Sequence, residues 1–202
     1  MRQNISIALA LTLALSATPQ EETPKIKVSA DPLTDEQVAV YRTVLGSYSN
    51  GSNTTLNVAD KTETLDLSED KECLKGIELE STSAAVVHRL DQRVTKMKKN
   101  MVLVDAETQQ KKIEENDPQK LMKRAIDDGE RVTDKQIGDS LTQAFGTGLF
   151  TFSEIAFDKQ HHYAVLTYSF VCGGLCGHGN TIVLKKVKEG WRIGRTCRNW
   201  IS

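Results

Sequence analysis

Cys73, Cys172, Cys176 and Cys197, with His88, His161, His162 and His178, are the side chains of this 202-residue chain with the most chemistry to offer. Cys172 and Cys176 have three residues between them, with His178 two further on, and zinc accepts thiolates and imidazoles in such a set. A dithiol redox pair needs a different setting: Cys-x-x-Cys at a helix N-terminus, where the dipole lowers the thiol pKa. Here the pair brackets Gly173-Gly174-Leu175, a glycine hairpin turn between apolar alternating segments. An even cysteine count behind an export signal reads as disulfides. The structural-bridge reading is preferred, with no cofactor. The alternative is a small metal-dependent hydrolase using His161, His162 and His178.

Other chemistries lack their signatures. No Gly-x-Ser-x-Gly nucleophile elbow occurs, and no Gly-Lys-Ser/Thr phosphate loop. Gly173-Gly174 and Gly177-x-Gly179 fall within a hairpin, not between a strand and a helix. His88 stands beside Arg89 with no identifiable partner. His161-His162 reads as a solvated turn. Lys96-Met97-Lys98-Lys99 and Lys185-Lys186-Val187-Lys188 are the only basic clusters, and Arg192, Arg195 and Arg198 add to the second. Against them stand 27 acidic residues to 26 basic, a formal net charge of -1, which argues against a protein dedicated to nucleic acid or anionic membrane. At 39% hydrophobic and 26% charged, the chain has the make-up of a globular domain.

Residues 1–17 read as a signal peptide. Arg2 precedes an apolar run from Ile5 to Leu15, too short to span a bilayer, and Ser16-Ala17 offer a cleavage site. Residues 18–32, with Pro19, Pro24 and Pro32, read as a flexible leader, and residues 33–202 as one domain. Asn50 and Asn53 head glycosylation sequons.

The elements that must position the cysteines come next. Thr34 and Gln37 form a capping box, followed by an apolar stripe of Val38, Tyr41, Val44, Leu45 and Tyr48. Thr54–Ala59 and Met101–Val104 read as short strands, and Ser83–Leu90 as helix or strand. Glu107–Asn116 reads as a solvated helix. Asp117-Pro118 caps the next helix, whose buried side is Leu121, Met122, Ala125 and Ile126. A second capping box, Thr133 with Gln136, opens a helix lined by Ile137, Leu141, Ala144 and Phe145 and ended by Gly146.

From Leu149 the period changes to two. Phe150–Phe157, Tyr163–Cys172, Asn180–Val187 and Trp191–Ile201 are strand candidates with short connections, hence antiparallel neighbours. The expected fold is α+β: helices on one face of a C-terminal antiparallel meander of about four strands. A three-residue loop puts Cys172 opposite Cys176. It also lines Leu166, Tyr168, Phe170, Ile182 and Leu184 along one apolar face. A Glu189-Gly190 turn then sets Cys197 opposite Ile182 on that face, with Trp191, Ile193 and Arg195. Cys197 is roughly 20 Å from Cys176 along the strand, so its partner is Cys73 in the helical layer. The expected bridges are Cys172–Cys176 and Cys73–Cys197.

The block Phe152–Asp158, then Tyr168–Gly177, then Trp191 and Trp200-Ile201-Ser202, resembles a family of uncharacterised small exported bacterial proteins with a CGGLCG turn and a Trp-Ile-Ser tail. The resemblance covers about residues 145–202, with a weaker match at Glu115–Pro118. It implies export and the C-terminal hairpin, and no activity. The resulting expectation is an exported, disulfide-stabilised, non-enzymatic binding or envelope-associated module, without an integral membrane segment once the signal is cleaved. Its partner is an envelope or extracellular protein, not nucleic acid. The contact surface is the hairpin tip, Gly173, Gly174, Leu175, Gly177 and His178.

Overall fold

A computed structural model describes residues 26–48, 54–80, 86–96 and 100–202. The signal segment 1–17 and the two sequon asparagines lie outside the described residues.

The strands are β1 (Lys27–Val28), β2 (Leu56–Ala59), β3 (Val86–Val87), β4 (Met101–Val104), β5 (Leu149–Phe152), β6 (Ala156–Phe157), β7 (Tyr163–Gly173), β8 (Cys176–Val187) and β9 (Gly190–Ile201). The helices are α1 (Asp35–Ser47), α2 (Gln92–Thr95), α3 (Ala106–Glu115), α4 (Pro118–Asp127) and α5 (Asp134–Thr147). One sheet runs β4-β2-β5-β7-β8-β9, with β6 beside β7. β5 to β9 are antiparallel, the meander read from the sequence, while β2 joins β4 and β5 in parallel. β1 and β3 form a separate parallel pair. Part of the segment read as flexible leader is therefore strand; two residues are too few to show a period.

Both capping boxes form: Thr34 accepts from the Gln37 N–H, and Thr133 from the Gln136 N–H. α1 buries Val38, Val40, Tyr41, Val44 and Leu45 against Leu56, Val58, Phe150, Phe152, Leu166, Phe170, Ile182 and Leu184. These residues alternate along their strands, so they define one face of the sheet. On the opposite face Ile113 of α3 clusters with Ala59 and Leu149, and Leu74 with Val165 and Val183. Helical side chains thus reach both faces, whereas the sequence reading put the helices on one. The added parallel strands widen the sheet, so α3 has a second surface to cover. α4 and α5 are more exposed than their patterns indicated: Ile126 is exposed, and α5 fully buries only Ala144. α5 also continues past Gly146 to Thr147.

The two bridges pair as expected, Cys73 with Cys197 and Cys172 with Cys176, at Cα separations of 5.4 and 5.1 Å. The registers that led to them need correction. β7 extends to Gly173, which pairs with Cys176, leaving Cys172 as an extra residue in an irregular hairpin end. The last turn is Lys188-Glu189, and two bulges, at Gly194 and Cys197, interrupt the β8–β9 ladder. Trp191 and Ile193 stay on the α1 face. Cys197 falls instead with Leu74, Val165 and Val183 on the opposite face. Each bulge shifts the parity of the residues after it. Cys73 therefore meets Cys197 from a loop that covers the second face, not from the helical layer.

Candidate functional site

The second face divides along β7. Tyr163 and Val165 are covered by Leu67, Leu74, Ile77 and Leu79 of the Cys73 loop. Beyond them the same face carries Thr167 and Ser169, with Thr151 from β5 and Thr181 from β8. An apolar stripe that must be covered gives way to hydroxyls that need not be. There a cleft of about 250 Å³ opens, floored by these four hydroxyls and walled by Glu63, Thr64 and Asp66 on one side and Arg198 and Trp200 on the other.

The walls are tied down. Thr181 donates to Asp70 (3.0 Å), Arg198 pairs with Glu69, and the Cys73–Cys197 bridge fastens the loop to β9. Thr151 and Ser169 share a hydrogen bond of 2.8 Å. Burial pushes the Glu63 carboxyl up from its ordinary pKa, and the Thr151 hydroxyl, donating to it, partly offsets the rise. Ser169, Thr151 and Glu63 thus form a short polar chain along the floor of the cleft.

Trp200 pairs across the ladder with Gly179 and lies over it. A Cβ at Gly179 would fall 2.6 Å from the indole Cε2, and one at Gly177 would be 3.2 Å from Cζ3. The two glycines make a bed for one face of the ring, which remains 41% exposed. The glycines and the tryptophan of the tail, far apart in sequence, thus form one local feature.

The hairpin-tip residues do not converge on one surface. The Gly173–Gly174 turn docks on the start of α4, where Asp117 Oδ1 caps Gln119 N–H and Oδ2 accepts from Gly174 N–H (3.1 Å). Gly173 has φ +153°, which favours glycine, and a Cβ at Gly174 would press on Gln119. Leu175 points outward, 69% exposed. Gly177 backs Trp200 on the cleft face, while His178 stacks on Tyr48 on the other, with ring centroids 5.7 Å apart. Burial lowers the pKa of His178 and raises that of Tyr48.

The three histidines of the metal alternative are not brought together. His178 pairs with Phe170, seven residues up β7 from Tyr163, roughly 24 Å from the turn that carries His161. His161 is held by Glu36 of α1 at 2.6 Å and stacks on Phe157. Burial raises the Glu36 pKa, but hydrogen bonds from Lys186 and His161 outweigh it and leave the pKa lowered. His162 is exposed. Among the described residues no group of three His, Cys, Asp or Glu side chains is placed to hold a metal ion.

His88 does have a partner, which its sequence neighbours could not show. Its Nδ1 lies 2.9 Å from Glu154 Oε2, and Glu154 Oε1 accepts from the His88 N–H and from Thr62. Tyr41 donates from the same buried region to the Ser153 carbonyl, and burial with the nearby Glu154 charge raises its pKa. This cluster bolts α1, the Thr62 segment and β5–β6 together. Sequence reasoning also missed the cleft. Its signal was the change on one face of β7 from Val165 to Thr167 and Ser169 while Leu166 and Phe170 continue the other.

Among the described residues no helix is long and apolar enough to cross a membrane. Comparison of the chain with protein-family models, curated proteins and solved structures finds no match.

Proposed function

We propose that this chain is an exported, non-enzymatic binding module that holds a small polar ligand in the hydroxyl-floored cleft, outside the cytoplasm. The observation that carries the reading is the cleft itself, a polar recess built onto the second face of the sheet beside the loop that carries Cys73. Its walls are fixed by a disulfide, an ion pair and a buried hydrogen bond. A site held rigid before the ligand arrives loses less ordering entropy on binding. Export is supported by the apolar run behind Arg2 and by the two bridges, which persist in oxidising compartments. The resemblance to small exported bacterial proteins points the same way.

The test is a thermal-shift screen of small polar compounds against the mature chain and a Thr167→Tyr variant whose ring fills the cleft. A bound ligand stabilises only the chain that holds it. The expected result is a compound that raises the Tm of the mature chain and leaves the variant unmoved. Compounds that shift both equally, or a library that shifts neither, contradict the reading. N-terminal sequencing of the exported product should begin near Ala17 or Thr18; an intact Met1 contradicts export.

A further inference from the structure

Resting on the cleft as the binding site, we infer that its ligand is polyhydroxylated, a neutral sugar unit lying against the open face of Trp200. One face of the indole is spent on Gly177 and Gly179, which leaves the other toward the cleft. A flat aromatic surface matches the C–H face of a pyranose ring and adds contact at little entropic cost. The floor matches the rest of such a ligand. Thr167 and Ser169 both give and accept hydrogen bonds, as sugar hydroxyls do, and Glu63 accepts them.

The charge arrangement argues against other ligands of this size. Arg198 shares its charge with Glu69, so a phosphate or carboxylate would meet Glu63 and Asp66 beside a cation that is already paired. A quaternary ammonium would suit the ring and the carboxylates but leave the hydroxyl floor without partners after displacing its water.

Calorimetry and tryptophan fluorescence on the mature, fully bridged chain test this, with glucose and N-acetylglucosamine as probes and choline, glutamate and inorganic phosphate as comparators. The expected result is saturable binding of a sugar, with a change in emission that Trp200→Ala abolishes. That variant and Thr167→Val should each weaken sugar binding about tenfold. Thr167→Val removes only a hydroxyl and keeps the β-branched shape, so its fold is preserved if Trp200→Ala loosens the tail. Sugar binding undiminished in both variants overturns the inference. Binding of choline, glutamate or phosphate in place of sugar overturns the ligand class and leaves the cleft standing. No binding by any probe overturns the inference, and the thermal-shift library then decides separately whether the cleft binds another ligand.

Discussion

Trp200 and Gly179 face each other across the β8–β9 ladder, and the indole occupies the space that a side chain at residue 179 would need. Gly179→Ala should push the ring off its bed. The overpacking should cost about 1–3 kcal/mol, visible as a lowered Tm. The Trp200 emission should shift as the ring moves into water. An alanine variant with unchanged Tm and emission would mean that the ring does not rest there.

The two bridges should differ in weight. Cys73–Cys197 spans 124 residues and fastens a cleft wall, so its loss should remove about 5 kcal/mol in the chain-entropy account. Cys172–Cys176 spans four residues of a hairpin already docked on Asp117, and should contribute about 2 kcal/mol or less. Double serine variants melted side by side give the comparison. Ligand affinity should fall with the long bridge and hold with the short one. A larger stability loss from the short bridge contradicts this division.

Glu63 should trade stability for binding. Its folded-state pKa is raised, so its contribution to stability is fully present below the ordinary value of 4.5 and is lost as pH rises through the folded value. Glu63→Gln should therefore be more stable than the parent at neutral pH and equal to it in acid, while binding ligand less well. Urea melts at both pH values measure this. A variant less stable at neutral pH would show that the carboxylate is held favourably.

The fold was legible where local chemistry acts alone. Capping boxes depend on residues three apart, and both formed; the change to period two after Leu149 marked the meander. The cysteine pairs were legible too, but the face of Cys197 was not. Bulges at Gly194 and Cys197 are decided by packing on both faces, and alternation alone cannot place them. The cleft escaped because its parts come from β5, β7, β8, β9 and the Thr62–Cys73 loop, brought together only by the sheet order. The His88–Glu154 pair escaped for the same reason, at a separation of 66 residues.

Asp117 performs two jobs with its two oxygens, capping α4 and holding Gly174 N–H. Asp117→Asn keeps a capping oxygen and loses the second acceptor, while Asp117→Ala loses both. The losses should be about 1 kcal/mol for asparagine and about 2 kcal/mol or more for alanine. Chemical denaturation of the three chains gives the order. An asparagine variant as unstable as the alanine one would contradict the shared role.

An amide chemical-shift map of the labelled mature chain, titrated with the best compound of the thermal screen, shows whether the hydroxyl-floored cleft is where this protein meets its ligand. Saturable shifts are expected at Thr151, Thr167, Ser169, Thr181 and the Trp200 indole, with Leu175 and His161 unmoved. Shifts centred on Leu175 at the hairpin tip or on the His161 turn, with the cleft unmoved, would contradict that location.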